Sequence, residues 1–429
     1  MIIIFIISVM FFFFIIGLPI AFTLILTAML FSLIFKSELP FIVIPQNMAS
    51  AINSFSLLAV PLFILAAKIM NKAKISKRIF DFAKSIIGSL PGGLGHVNIL
   101  TSLIFAGMSG SAVADAAGLG EIEINAMKEG GYDGAFSAAI TGASSIIGPI
   151  FPPSIPMLIY GALVGVSIGK LFIAGIIPGC LMAAFLFITT YFISVKRHYP
   201  KESFLGFEYY LKNILRKLLY AIFPLFTPVI ILGSIIFGIA TPTEAAVVAV
   251  IYSLILGLFF KTIKVKDIPN ILKEASIDCS IVLFIVAGVS AFAWAITAKE
   301  IPQAFTIFIF NSIQNPSLII LLMIAVMMLI GLFMNPTPGL LLCVPLFLPL
   351  LEKLGMNLVQ AGVMIVLALA IGLLTPPVGL VLYIVSQIAK EDVGKVVKEV
   401  LPFIITLLIV VLLIAYVPFF SLYLQDIFY

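Results

Sequence analysis

Apolar segments of helix length dominate this sequence. Hydrophobic residues make up 62% of the 429 positions and charged residues only 10%, whereas soluble domains carry about 25% charged residues. A membrane-spanning helix needs about 20 apolar residues, so the chain is rich enough for roughly a dozen membrane segments. These runs are longer than the ~10-residue alternating strands of an outer-membrane barrel. The sequence therefore predicts an all-α polytopic inner-membrane protein, because a helix satisfies its own backbone hydrogen bonds in lipid.

Basic residues are concentrated between the apolar segments, where the positive-inside rule predicts cytoplasmic loops. The four basic stretches are 68–84, 196–217, 261–273 and 390–398. The net charge of +5 is accounted for by such loops, and it does not indicate a nucleic-acid partner. Residues 1–35 lack a basic start and a small-residue cleavage site, so we expect membrane helix there rather than a signal peptide. The break at Gly17-Leu18-Pro19 allows either one kinked helix or two short ones.

Two parts of the chain resemble each other at a fixed offset. The segment 147–153 (IGPIFPP) aligns with 371–377 (IGLLTPP), and other glycines and prolines match in the same register. A basic stretch follows the opening helix of the first copy but precedes that of the second, which predicts inverted repeats like those of secondary transporters. The predicted divisions are N-terminal scaffold helices in 1–56, the first repeat in 57–180, connecting helices in 181–282, the second repeat in 283–404 and a helix end in 405–429.

Each repeat is predicted to contain a re-entrant hairpin and a broken helix. Gly/Pro-rich interruptions lie inside apolar runs at 107–115, 148–156, 331–339 and 372–379. A Pro-Pro pair forces unwinding, and unwound backbone at membrane depth must be buried or line a cavity. The predicted elements are hairpins at 93–128 and 317–354, broken helices at 134–163 and 357–389, and other helices at 171–194, 218–239, 243–260, 276–298 and 400–424.

These interruptions carry groups suited to binding ions. Freed carbonyl oxygens can coordinate Na⁺, and the starts of half-helices offer N–H groups and a positive dipole to a carboxylate. The side-chain oxygens available are those of Ser109, Ser111, Asn335, Thr337 and Thr375. Asp115 is an intramembrane acid and so a functional candidate, although a structural role as partner of a nearby donor remains open. Four packing kinks without a ligand are the alternative for the interruptions as a whole.

Motifs for the main enzyme classes are absent. The sequence has no G-x-x-x-x-G-K-[ST] motif for ATP, no H-E-x-x-H and no G-x-S-x-G. The two His and three dispersed Cys residues make transition-metal chemistry improbable. We therefore expect a transporter rather than an enzyme. A channel also fits the hydropathy, but paired inverted hairpins favour alternating access.

Four long motifs resemble one family. They are FAGMSGSAVADAAGLG at 105–120, SSIIGPIFPPSIPMLIYG at 144–161, FGIATPTEAAVVAVIYSL at 237–254 and IGLLTPPVGLVLY at 371–383. They resemble the large membrane subunit of tripartite ATP-independent periplasmic (TRAP) transporters, and the likeness covers nearly the whole chain. The resemblance implies an elevator-type transporter of the ion-transporter superfamily, in which the hairpins and broken helices move against a fixed scaffold. It also implies Na⁺-coupled import of an organic acid such as a C4-dicarboxylate, a keto acid or sialic acid.

The resemblance assigns candidate ligands by motif. One Na⁺ site is expected between the first hairpin tip and the first break, and a second between the other tip and the other break. The residues of the first site are Ser109, Gly110, Ser111, Gly148 and Pro152. Those of the second are Met334, Asn335, Thr337, Gly372 and Thr375. The substrate is expected near Ser111, Asp115, Ser154 and Asn335.

The family resemblance also implies partners. These are a small four-helix membrane subunit, expected as a separate chain, and a periplasmic substrate-binding protein that delivers the organic acid. The lipid bilayer is the third partner, and no nucleic acid is expected. The alternative is a stand-alone Na⁺-coupled elevator carrier that works without a binding protein.

Overall fold

The computed structural model describes residues 8–10, 12–13, 15–34, 41–73, 75–200 and 207–429, and these residues form helices and no strands. Residues 1–7, 11, 14 and 35 of the predicted N-terminal helix, and parts of two basic stretches (Lys74 and 201–206), lie outside the described residues. The α-helices are α1 (Ile20–Ile34), α2 (Val43–Ile52), α3 (Ala59–Lys72), α4 (Ile75–Ile87), α5 (Gly93–Ser109), α6 (Ala112–Gly118), α7 (Gly120–Glu129), α8 (Gly134–Ser145), α9 (Ile155–Val164), α10 (Ile168–Arg197), α11 (Phe207–Ile236), α12 (Pro242–Phe259), α13 (Ile268–Thr297), α14 (Ile301–Ser312), α15 (Pro316–Gly331), α16 (Pro336–Lys353), α17 (Leu358–Gly372), α18 (Leu380–Ala389), α19 (Val393–Tyr416) and α20 (Phe419–Phe428).

The all-α architecture predicted from the sequence is confirmed. Six of the described helices are long and apolar enough to cross a membrane, and six shorter apolar helices accompany them. The predicted last helix, 400–424, is wrong at its end. Helix α19 stops at Tyr416 and a separate helix begins at Phe419, because Val417 is held in an extended conformation before Pro418.

Helices α5 to α7 form the first hairpin. The start of α5 lies beside the end of α7, since Asn98 Nδ2 is 3.8 Å from Met127 Sδ. The return arm is interrupted at Leu119, between α6 and α7. Helices α15 and α16 form the second hairpin, whose tip is 332–335. At the end of this hairpin opposite its tip, Lys353 Nζ lies 4.3 Å from the centre of the Phe310 ring. Phe310 precedes the start of α15 by six residues.

Two helices are broken where the Pro-Pro sequences lie. The first broken helix consists of α8 and α9 with 146–154 between them, and the second consists of α17 and α18 with 373–379 between them. The Pro152–Pro153 and Pro376–Pro377 peptide bonds are both cis. Every residue of α8 is buried, as is every residue of α17 after its first. The two broken helices therefore form the centre of the molecule.

Most of the remaining helices either pack against this centre or belong to a separate outer layer. The central body comprises both hairpins and both broken helices, with α10 and α19 packed against them. An outer layer contains α1 to α4 and α11 to α13, which pack chiefly on one another. Small residues such as those of α8 (GAFSAAITGASS) allow close helix approach in the central body. A cavity lies where the two parts meet.

Candidate functional site: a central cavity between two hairpin tips

A cavity of about 780 Å³ lies between the hairpin tips and the outer layer. Both tips line it, and so do residues at both helix breaks and on α3 and α13. Four helices begin at its wall: α6, α9, α16 and α18. The residues from their first turns that line it are Ala112, Val113, Ala114, Ile155, Pro156, Pro336, Thr337, Pro338 and Leu380. Helix starts carry a partial positive charge, so this wall suits an anion.

The tip of the first hairpin packs directly on the first break. Gly110 has a positive φ of 64°, and a Cβ atom built on it would lie 2.6 Å from the carbonyl oxygen of Pro153. Only glycine allows this turn and this close approach together. Ser111 follows as the N-cap of α6, where its Oγ accepts a hydrogen bond from Ala114 N at 3.4 Å. The structure thus brings Ser109, Gly110 and Ser111 to the segment that contains Gly148 and Pro152.

Asp115 lies inside this contact. Its carboxylate is 1% exposed, and its Oδ1 accepts a hydrogen bond from the Ser109 hydroxyl. The other oxygen, Oδ2, has no hydrogen-bond partner among the described residues. It points at the start of the break, because a Cβ atom built on Gly148 would lie 2.6 Å from it. A buried carboxylate oxygen with no donor, beside unwound backbone, is a suitable ligand for a cation.

The tip of the second hairpin also packs on its break through glycine. A Cβ atom on Gly372 would lie 2.6 Å from the Gly331 Cα, so the two backbones touch. Asn335 caps the start of α16 without a side-chain hydrogen bond to it, and its side chain is exposed in the cavity. Thr337 also lines the cavity, whereas Thr375 Oγ1 donates to Ile371 O at 2.9 Å. The residues expected at the second Na⁺ site therefore lie around one tip and one break.

The residues expected around the substrate are not all in one place. Ser111 and Asn335 line the cavity, as does Met334. Asp115 and Ser154 do not, since they are 1% and 0% exposed. Ser154 instead caps α9, accepting from Met157 N at 3.2 Å and donating to Pro149 O. Asp115 and Ser154 are therefore enclosed behind the cavity wall, whereas Ser111 and Asn335 form part of it.

The sequence reasoning missed charged residues that the fold brings to the cavity. Lys68 and Asp278 line it, and Lys68 Nζ lies 2.7 Å from Asp278 Oδ2. Lys68 was assigned only to a cytoplasmic basic stretch, and its helical spacing from Ile64 is the signal that could have placed it on an interior face. Glu123 on α7 does not line the cavity, but it is a further charged residue that sequence reasoning missed. It is fully buried, and neither carboxylate oxygen has a hydrogen-bond partner in the described part of the chain.

A buried polar network holds the first hairpin to the first broken helix. Asn98 Nδ2 donates to Thr141 Oγ1 at 2.6 Å, and Ser144 Oγ donates to Asn98 Oδ1 at 2.7 Å. Ser102 Oγ donates to Ser144 Oγ at 2.9 Å. These side chains are nearly fully enclosed, so each bond is made where water cannot replace it. The network fixes α5 against α8 and thereby positions the tip over the break.

The family model for the DctM component of tripartite ATP-independent periplasmic transporters matches residues 7–420. The sialic acid TRAP transporter large permease protein SiaM of Vibrio cholerae serotype O1 is 41% identical over 416 residues, covering 96% of both chains. The C4-dicarboxylate TRAP transporter large permease protein DctM of Pseudomonas aeruginosa is 34% identical over 373 residues, covering 87% of this chain and 86% of the relative. The crystal structure of the YdaH transporter from Alcanivorax borkumensis superposes with a TM-score of 0.58 at 14% identity, covering 87% and 86% of the two chains.

The family match confirms the resemblance seen in the motifs, and the YdaH superposition shows a similar overall fold. The relatives are transporter permeases, a class that is not enzymatic. With its long apolar helices, the chain is a multi-pass protein of the bacterial inner membrane. It belongs to the DctM component family of tripartite ATP-independent periplasmic transporters and is a TRAP transporter large permease protein.

Proposed function

We propose that this chain imports a small organic acid by coupling its movement to Na⁺, with sialic acid or a C4-dicarboxylate as the first candidates. Relatives named for these two substrates match 96% and 87% of the chain. Both substrates are carboxylates, so the shared chemistry is recognition of an organic anion. The central cavity is the proposed binding site for this anion.

One observation carries this proposal most directly: four helices start at the wall of one cavity. Each start presents the positive end of a helix dipole. Their convergence favours a carboxylate within a largely apolar body. Ser111 and Asn335 add a hydroxyl and an amide to the same wall, and these polar groups can orient the bound acid.

The proposed Na⁺ sites lie where each hairpin tip in this wall meets its helix break. At the first break, Asp115 Oδ2 faces Gly148 and has no hydrogen-bond donor in the part of the chain that the structure describes, so a cation fits the charge of this group. The other ligands would come from Ser109, Gly110, Ser111 and the segment 148–152. At the second break, the proposed ligands are oxygen atoms of Met334, Asn335, Thr337, Gly372 and Thr375. Bound Na⁺ would hold each tip against its break and so complete the substrate site between them.

The proposed complex contains two further proteins, a small four-helix membrane subunit and a periplasmic substrate-binding protein. The test is uptake of labelled sialic acid and succinate into proteoliposomes under an inward Na⁺ gradient. Each partner is omitted in turn. Loss of uptake on either omission is the expected result. Full uptake without the binding protein would instead favour the stand-alone carrier.

The cavity position also supports an elevator movement, because the hairpin tips face the outer layer across it. Gly118 of the first hairpin approaches Asn71 of α3, with 3.8 Å between a Cβ built on Gly118 and Asn71 Cγ. In a chain whose three native cysteines are replaced, cross-linking Asn71→Cys to Gly118→Cys with Hg²⁺ should stop uptake, and a thiol reductant should restore it. Each single-cysteine variant is the control. Unchanged uptake by fully cross-linked protein would contradict the elevator movement.

A further inference from the structure

Lys68 and Asp278 form an ion pair that faces the central cavity. Lys68 Nζ and Asp278 Oδ2 are 2.7 Å apart, and the two side chains are 34% and 45% exposed. They are the two charged side chains among the described residues that line the cavity. The same cavity contains the helix starts at which the anion is proposed to bind.

The position of this ion pair does not depend on how far one side chain extends. Helices α3 and α13 each have one continuous face towards the cavity. Positions three and four residues apart lie on the same side of a helix. The cavity-lining residues have this spacing on both helices, namely Ile64, Ala67, Lys68 and Asn71 on α3, and Asp278, Ile281, Val282 and Ile285 on α13. The packing of the two helices therefore places Lys68 and Asp278 in the cavity wall. Asn71, next to Lys68 on this face, has a side-chain oxygen without a hydrogen-bond partner among the described residues.

A positive charge in a cavity lined mainly by apolar residues needs a partner. When the cavity holds no anion, Asp278 supplies that partner. When an organic acid enters, its carboxylate has the same charge and geometry as the Asp278 carboxylate. Exchange of one for the other is feasible because partly exposed ion pairs contribute little net stability.

We propose that Lys68 binds the carboxylate of the transported acid, and that Asp278 forms an ion pair with Lys68 while the cavity is empty. This inference rests on the proposed function, since it requires an organic anion as substrate. It makes Lys68 a specificity-determining residue that favours anionic over neutral compounds. Asp278 acts as an internal competitor of the substrate.

The two residues should then have opposite effects on binding. The dissociation constant is measured in Na⁺ on the purified complex with its small membrane subunit. The ligands are sialic acid and succinate, and the fully methyl-esterified, uncharged form of whichever acid the wild type binds. Lys68→Met should raise the dissociation constant of the acid about 10-fold or more but leave that of the ester unchanged. Asp278→Asn should lower the dissociation constant of the acid, because Lys68 then has no carboxylate that competes with the substrate.

The matched control is the Lys217–Asp81 ion pair, which joins α11 to α4 outside the cavity at 3.5 Å with side chains 31% and 39% exposed. Lys217→Met and Asp81→Asn should leave the dissociation constant unchanged. A purely structural pair would give a different pattern. Lys68→Met and Asp278→Asn would then weaken binding alike, and the exchange Lys68→Asp with Asp278→Lys would restore it.

That structural pattern, or an unchanged dissociation constant in Lys68→Met, would overturn the inference while leaving the proposed function in place. Wild-type complex that binds neither acid would contradict the proposed substrate class, and the inference with it. The two failures are therefore distinguished by the wild-type titration alone.

Discussion

Asp115 occupies the space that a side chain at residue 148 would need. A Cβ atom built on Gly148 would lie 2.6 Å from Asp115 Oδ2, and real Cβ atoms do not approach so closely. The first hairpin can therefore place its carboxylate against the first break only because residue 148 is glycine. This relationship ties a backbone interruption to the proposed Na⁺ site.

Replacing Gly148 by alanine should displace the Asp115 carboxylate from the break. We expect Gly148→Ala to raise the Na⁺ concentration for half-maximal uptake at least about 10-fold, equivalent to about 1.4 kcal/mol. The measurement is initial uptake against external Na⁺ in proteoliposomes. Gly233→Ala is the control, because a Cβ atom at Gly233 meets nothing within 4 Å. Equal Na⁺ dependence in both variants would show that this contact does not form an ion site.

Asp115→Asn separates the two roles that the sequence left open for this residue. Asparagine retains an oxygen that can accept from Ser109 but loses the charge. We therefore expect the free energy of unfolding to change by less than about 1 kcal/mol, while the apparent Na⁺ affinity falls about 10-fold or more. Thermal unfolding and Na⁺-dependent uptake are measured on the same preparation. A large loss of stability with unaltered Na⁺ affinity would favour the purely structural role.

Asn335 is predicted to contact the substrate, because its side chain is exposed in the cavity and makes no cap hydrogen bond. Asn335→Ala should raise the KM for the acid about 10-fold, and Asn335→Asp should impair uptake further by placing a negative charge beside an anion. The thermal unfolding midpoint should remain close to that of the wild type. Uptake kinetics equal to wild type in Asn335→Asp would exclude Asn335 from the substrate site.

Ser154 should behave in the opposite way, because it is fully buried and caps α9. Ser154→Ala removes an N-cap and should lower the free energy of unfolding by about 1 kcal/mol. The KM of the correctly folded fraction should be unchanged. Ser167→Ala is a comparison at an exposed cap, that of α10, where we expect a smaller loss. A raised KM with intact stability in Ser154→Ala would return this residue to the substrate site.

Local signals predicted much of this fold. The Pro-Pro pairs predicted breaks that the structure has at 146–154 and 373–379. Thr241 and Glu244 form a capping box at the start of α12, and their spacing is a local signal of the same kind. Such features depend on neighbouring residues, so a single sequence contains them. The end of α19 at Tyr416 differs from the predicted helix end at 424 because the apolar run continues past Pro418, which by itself stops the helix.

Features of the site that depend on packing were not predictable in this way. The sequence predicts Asp115 near the substrate but does not indicate that its carboxylate turns towards Gly148. Lys68 was assigned to a basic loop, whereas the packing of α3 beside α13 places it opposite Asp278 in the cavity. Both outcomes depend on which face of a helix a distant segment covers. The spacing of Lys68 from Ile64 indicates an interior face, but no local pattern at either residue shows which distant segment covers that face.

The central claim is that Na⁺ entry drives the acid through this cavity. The most direct measurement is accumulation of labelled acid in proteoliposomes containing the full complex, with an inward Na⁺ gradient or with equal Na⁺ on both sides and no membrane potential. The account predicts accumulation above the external concentration only with the gradient, and its collapse when a Na⁺ ionophore is added. Equal accumulation under both conditions, or accumulation with K⁺ in place of Na⁺, would contradict it.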